Sequence, residues 1–505
     1  MDKKQAMGGF LDFVEKAGNK LPDPFTLFFG MASFVLLLSL LMAGMGVEVV
    51  SPADGSIIKV INLLEPAGIR KIMTEIPKNF ALFPPFAVVL VCMVGIGVAE
   101  KSGLISAALK KTVTIVPSSL LPATLVFAGV MSNMASDAGY VVLTPLGAVL
   151  FAAFGRHPIA GLTAAFAGVS GGFSANLLLS SLDPLLSGLS TTAAQLVDKD
   201  YTVLPTANYY FMIASTFLIT VVGSLITTKI VEPRLGPWEG GVADDSSHGE
   251  LTMTEKKGLW WSAGYVVLFA IILLLLTVPQ NAILRDETGD LKPFYGSIVP
   301  LIMTFFLGAG LVFGIKTRTI TSDRDVNKMI SETMAGLGPF IALVFIMAQF
   351  VAFFGWSNIG IVIAIKGAAI LKTIGLTGFP LLFCFIIVTA FLNLFMGSAS
   401  AKWAIMAPVF VPMFMLMGYS PEIAQNSYRI GDSVTNIISP LLPYYPIIIA
   451  FARKYKSDLG VGTLISLMIP YSLAFLVTWT ILFAVWFVFG LPIGPDAPIF
   501  YSLPQ

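Results

Sequence analysis

The chain has 505 residues and a formal net charge of +1, with 56% hydrophobic and 12% charged residues. The mean hydropathy is +0.86, and the charged fraction is about half that of soluble domains. Composition therefore excludes a soluble domain and gives no hint of nucleic-acid binding, leaving a polytopic, all-α membrane protein in the lipid bilayer. Cys92 and Cys384 both sit in apolar segments and imply no disulfide framework. No short apolar core followed by a small-residue cleavage site marks the N-terminus as a cleaved leader.

In chain order, residues 1–23 read as a cytoplasmic N-terminal segment and 24–231 as a first half. Its apolar spans are 24–46, 79–100, 157–183 and 207–231. The stretch 118–154 is too long for one span and is broken by SNMASDAG (132–139), so it reads as a re-entrant hairpin. A polar linker at 232–257 leads to a second half, 258–490, with spans at 258–278, 294–315, 334–355, 421–451 and 462–490. A second hairpin, 377–417, is broken by GSASAK (397–402), and 491–505 forms an external tail. The expectation is nine spans and two hairpins. With the N-terminus in the cytoplasm, 19 of the 30 Lys and Arg residues fall on inner segments and 9 on outer ones, as the positive-inside rule requires. His157 and His248 have no partners at metal-ligand spacing and read as surface histidines.

At an offset of 263 residues the chain matches itself in glycines, prolines and a serine. Pro145 meets Pro408, Gly155 meets Gly418, Pro158 meets Pro421, Gly168 meets Gly431 and Ser170 meets Ser433. The two hairpins enter from opposite sides, so the repeat is inverted, as in secondary transporters whose site lies between repeats at broken helices. The breaks are expected at GVSGGFSAN (168–176) and GDSVTN (431–436), where small residues loosen the helical ladder. Asn176, Asn436, Thr435 and Asp432 supply oxygens suited to a hard cation, and half-helix N-termini suit an anion. Close helix packing by small residues is the alternative.

The ionisable residues inside the apolar core are Asp137, Asp183, Lys402, Arg429 and Asp432. Each costs about 2.5–3.5 kcal/mol or more at depth and is a functional candidate. Arg429 and Asp432, three apart, are either a structural ion pair or a substrate site, since a guanidinium fork suits a carboxylate or sulfonyl-like group. Trp403 offers an aromatic face to a ringed substrate or packs between helices.

The stretches 397–446 and 154–188, with IVEPRLGPWEG (230–240) and VPQNAILRD (278–286), resemble the AbgT family of aminobenzoyl-glutamate transporters over essentially the whole chain. The resemblance implies a homodimer with a basin open to the cytoplasm. It also implies uptake of p-aminobenzoyl-glutamate or ion-driven export of sulfonamide antimetabolites. The family's transport positions fall on Asp183, Ser400, Trp403, Pro421, Arg429, Asp432 and Pro440, and a sodium site on Asn393, Gly397 and Asp432. It implies no cofactor beyond a coupling sodium ion or proton, and an inner (plasma) membrane location. No HExxH, no GxSxG with suitable partners and no GxxxxGK[ST] occurs, so neither a membrane enzyme nor a primary pump is expected. Direction of transport and choice of ion stay open.

Overall fold

A computed structural model describes residues 24–50, 55–114, 117–135, 139–238, 251–439, 442 and 444–502. Asp137, Pro440, His248 and the whole N-terminal segment, 1–23, lie outside the described residues.

The first half opens with α1 (Pro24–Gly44), a small antiparallel hairpin of β1 (Glu48–Val50) and β2 (Ile57–Lys59), and then α2 (Pro66–Ala81), α3 (Pro84–Lys101) and α4 (Leu104–Thr114). The first re-entrant hairpin has arms α5 (Leu121–Ser132) and α6 (Thr144–Ala153), the second arm preceded by a π-helical turn at Gly139–Leu143. α7 (Pro158–Phe166) continues as a π-helix over Ala167–Gly171 and stops; the chain is non-helical until α8 (Leu182–Ala194). α9 (Tyr209–Ile226) continues in helical form to Leu235.

The second half begins at α10 (Met253–Thr277), whose Thr252 and Glu255 form a reciprocal capping box. α11 (Ile298–Thr317), α12 (Asp323–Gly336), α13 (Gly338–Trp356) and α14 (Ile359–Thr373) follow. The second hairpin is α15 (Gly378–Asn393) and α16 (Ala399–Leu416), and the second broken helix is α17 (Pro421–Asn436) with α18 (Tyr445–Arg453). α19 (Val461–Val488) ends the helical part. Outside the spans, α12 is capped by Asp325, whose carboxyl is held at about 2 by the Thr321 amide, the Thr321 hydroxyl and the Ser322 amide.

Among the described residues, eight helices are long and apolar enough to cross a membrane by length and composition. Seven coincide with spans expected from the sequence, and the eighth is the hairpin arm α16. The pieces of the two broken spans are each too short to count. The hairpin arms are short too. At 1.5 Å per residue the 12-residue α5 reaches about 18 Å and the 18-residue α16 about 27 Å, against a hydrocarbon core of about 30 Å.

In each half the broken helix lies between the two arms of its own hairpin: α7 against α5 and α6, α17 against α15 and α16. The repeat-related glycines make this possible. A Cβ on Gly168 would stand 2.2 Å from the Val126 carbonyl oxygen, and one on Gly431 would stand 2.5 Å from that of Ile386. Both positions need hydrogen in place of a side chain because a hairpin backbone passes there.

Three expectations change. α2, α4, α8, α12 and α14 were not foreseen as helices, because polar faces or Lys366 and Lys372 dilute their hydropathy, and α8 because 157–183 reads as one crossing. The first break is as expected, but its helix resumes at Leu182 and runs to Ala194. The second break is later than GDSVTN. Residues 431–436 stay helical, because Ser433 and Thr435 hydroxyls bond back to Arg429 and Gly431 carbonyls without opening the ladder. Of the described residues that follow, 437–439, 442 and 444 are non-helical.

Candidate functional site

α17 has the composition of a solvent-facing helix, with Glu422, Gln425, Asn426, Arg429, Asp432 and Asn436 in sixteen residues, yet every residue from Pro421 to Asn436 is buried. Such a helix is stable only if each polar group finds a partner. Ser420 caps it, accepting from the Ile423 amide at 3.2 Å, and Pro421 occupies the first turn, where a missing N–H costs nothing. Pro421 therefore sits about 12 Å along the axis from Arg429 and does not join the charges.

Two buried ion pairs organise the centre. Arg429 Nη1 lies 2.7 Å from Asp183 Oδ1, both side chains at most 4% exposed. The contact is a charge pair rather than an aligned hydrogen bond, since Asp183 Oδ1 has no hydrogen-bond donor in line. Asp183 is steadied by Ser180, whose amide and hydroxyl donate to Oδ2 at 2.7 and 3.0 Å. That S-x-x-D arrangement is a local capping motif readable from sequence. The second pair is Lys402 Nζ to Asp432 Oδ1 at 2.6 Å, with side chains 1% and 2% exposed. Arg429 and Asp432 thus do not pair with each other, correcting the i, i+3 alternative: each takes a partner from another element.

The expected cation ligands Asn393 and Asp432 meet at the tip of the second hairpin. Asn393 Nδ2 donates to the Asp432 carbonyl at 2.6 Å, Thr435 Oγ1 at 3.0 Å and Asn436 Oδ1 at 2.8 Å. Its Oδ1 accepts from Lys402 Nζ, which also reaches the Met396 carbonyl at 3.3 Å. Tyr428 donates from its hydroxyl to Asp432 Oδ1 at 3.2 Å and to the Ala399 carbonyl at 2.5 Å. Trp403 is fully buried. Its ring packs on Tyr428 with centroids 4.5 Å apart, and its indole N–H donates to Ser190 Oγ at 3.0 Å. Gln425 donates to the same hydroxyl at 2.8 Å. Trp403 is therefore braced against α8 and α17 and is not a wall of the central cavity. Ser400, in the first turn of α16, lies 3.3 Å from the capping hydroxyl of Ser398.

The cavity itself, of about 370 Å³, opens where both hairpin tips and both breaks converge. Asn133 and Tyr140 come from the first hairpin, Gly397 and Ala399 from the second. Phe173, Ser180 and Ser181 come from the first break, and Asn436 and Tyr444 from the end of α17 and the second break. Tyr140 and Tyr444 stack at 4.1 Å and 9°, one ring from each half. Asn133 Nδ2 donates to Val130 and Gly172 carbonyls, leaving Oδ1 buried without a hydrogen-bond partner in a residue that borders the cavity. Of the expected residues that are described, Gly397 and Asn436 line this space, and the charged ones stand behind it. Sequence reasoning missed Asn133, Tyr140 and Tyr444, although Asn133 lies within the SNMASDAG interruption and Tyr140 directly follows it. A larger groove of about 590 Å³ beside Lys71 and Trp356 contains no hairpin-tip or break residue.

The halves also touch directly. The Ser174 amide donates to Ser433 Oγ at 3.1 Å, and Asn436 Nδ2 to the Ser170 carbonyl at 3.5 Å. Backbone freed by the first break is satisfied by side chains of α17.

Comparison with known proteins gives a consistent picture. The AbgT putative transporter family matches over residues 9–501. The p-aminobenzoyl-glutamate transport protein of Escherichia coli (strain K12) is 41% identical over 491 residues, spanning 97% of this chain and 96% of that protein. The crystal structure of the YdaH transporter of Alcanivorax borkumensis superposes with a TM-score of 0.90 at 42% identity, covering 94% of this chain and 100% of that one. MtrF of Neisseria gonorrhoeae, which illuminates a class of antimetabolite efflux pumps, superposes with a TM-score of 0.92 at 48% identity, covering 97% and 100%.

Proposed function

The chain belongs to the AbgT family, and from that premise we propose that it is an ion-coupled secondary transporter of aminobenzoyl-type anions such as p-aminobenzoyl-glutamate. It is a multi-pass membrane transporter and not an enzyme. The observation that carries the proposal is the cavity between the hairpin tips and breaks, lined by aromatic rings and small polar groups and backed by two buried ion pairs.

The division of labour follows from chemistry. Tyr140, Tyr444 and Phe173 give flat apolar surface to a benzoyl ring. Asn133 Oδ1 accepts from an aryl amine. Arg429 exchanges Asp183 for a substrate carboxylate when the protein rearranges, trading one carboxylate contact for another that its planar fork can hold with two donors. Asp183 is the counter-charge that keeps Arg429 affordable at depth in the substrate-free protein. Asp432, Asn393 and Gly397 take the coupling cation, sodium or a proton, and Trp403, Ser400 and Pro421 hold the surrounding frame. The protein works as a homodimer in the inner membrane, N-terminus cytoplasmic and C-terminus external, which the inner excess of basic residues supports.

Efflux of sulfonamide antimetabolites is the second reading, favoured by the likeness to MtrF. A sulfonyl group presents oxygens at a spacing comparable with a carboxylate, so one site serves both and the gradients set direction. Reconstituted vesicles given sodium and proton gradients separately test the proposal. Saturable movement of labelled p-aminobenzoyl-glutamate or a sulfonamide that follows one imposed gradient is the expected result. Flux that ignores both gradients would refute ion coupling.

A further inference from the structure

Lys402 is the one ionisable side chain at the second hairpin tip, between Asn393 and Trp403. At the repeat-related position of the first hairpin stands Gly139. The lysine is nevertheless buried to 1% exposure, a placement that costs several kcal/mol unless the charge is closely paired. Its ammonium is surrounded by oxygens from three places: Asp432 Oδ1 on α17 at 2.6 Å, Asn393 Oδ1 at the end of α15, and the Met396 carbonyl in the connection at 3.3 Å. Carboxylate, amide and carbonyl oxygen is the ligand set a hard monovalent cation takes. The Asn393 amide is already turned to present its oxygen, because its nitrogen is engaged by Asp432, Thr435 and Asn436.

We propose that Lys402 is a tethered cation that fills the coupling-ion position in this conformation, so that a free cation binds Asp432 and Asn393 only when the ammonium has swung out. Ion binding and release of the hairpin tip from α17 then become one event. Without a cation the tether neutralises Asp432 and ties α16 to α17. With a cation bound, Asp432 is neutralised from solution and the tip is free to part from the broken helix. Competition between two cations for one carboxylate also keeps the site from being charged twice or left bare, either of which is costly in a dry interior. The inference rests on the ion-coupled reading above and names a residue that sets its ion response.

The experiment uses the purified full-length protein in detergent, with sodium chloride as probe and choline chloride as control. Wild-type protein is expected to show a weak sodium-dependent rise in Tm. Lys402→Gln, which removes the competitor, is expected to respond to at least tenfold lower sodium. Lys402→Arg keeps a tether and should respond no better than wild type, and Lys402→Gln with Asp432→Asn should not respond at all. Should Lys402→Gln prove unstable, the wild type answers alone: sodium is expected to raise labelling of Lys402 by an amine-reactive reagent at least threefold, read by peptide mass spectrometry. A Lys402→Gln sodium response no stronger than wild type overturns the proposal, as does labelling that sodium lowers or leaves unchanged. The tenfold contrast in a protein that moves no aminobenzoyl compound would count for the tether and against the transport reading, so the two fail separately.

Discussion

In the second half Lys402 Nζ stands 2.6 Å from Asp432. The same two positions 263 residues earlier are Gly139 and Val169, and a Cβ on Gly139 would sit 3.0 Å from a Val169 methyl. Asn393 and Arg429 answer likewise to Val130 and Phe166. At these positions the first half carries small and apolar residues where the second carries charged and amide groups. Buried ion pairs are commonly replaceable by apolar groups with no loss of stability, so retaining one points to work done by its charges. Among the described residues, the first half contributes frame, a single buried acid, Asp183, and ring surface; the second contributes both buried cations.

The contrast can be broken or sharpened by substitution, taken here in order of expected loss of stability. Asp432→Ala strands the Lys402 ammonium and should cost about 3–5 kcal/mol and end transport, whereas Val169→Ala should cost about 1–3 kcal/mol and spare it; equal losses in thermal unfolding would erase the distinction. Arg429→Ala should cost about 2–4 kcal/mol, somewhat less because Ser180 still donates twice to Asp183, with at least a tenfold fall in transport that Arg429→Lys does not recover. Gly168→Ala and Gly431→Ala should each cost about 2–3 kcal/mol through overpacking. Here the halves should behave alike, and a lopsided pair of Tm shifts would show that their packing differs as well as their charges. Smallest in stability is the combined replacement of Asn393 by Val, Lys402 by Gly and Asp432 by Val, which copies the first half into the second. Its Tm should stay within the equivalent of about 2 kcal/mol of wild type while transport is lost.

Much of this was legible in the sequence because hydropathy reports burial in lipid directly. Seven spans, both hairpins and the offset between halves follow from apolar runs, the small polar interruptions SNMASDAG and GSASAK, and matched glycines and prolines. Helices with a wet face, such as α2 and α12, fall below that signal. The individual charges were visible too, each conspicuous in an apolar run. Their partners were not, since Arg429 finds Asp183 from the other half and Lys402 crosses from hairpin to helix. Such choices depend on which elements the fold brings together. Local spacing suggested Arg429 with Asp432 and had no means of weighing a tertiary competitor. The cavity wall was hidden for the same reason: Tyr140 and Tyr444 become a pair only when the halves close on each other.

The depth of the Lys402–Asp432 contact has a practical consequence for solution work. Surface charges are screened within about 8–10 Å at ordinary ionic strength, but a pair with 1% and 2% exposure has no mobile ions around it to do the screening. Raising the concentration of a salt whose cation is too bulky to enter should leave this contact intact while weakening outer pairs such as Lys59 with Glu48, whose side chains are 74% and 48% exposed. A titration with a bulky-cation salt therefore isolates the general ionic-strength response of the molecule. Whatever a small cation adds beyond that baseline belongs to the interior.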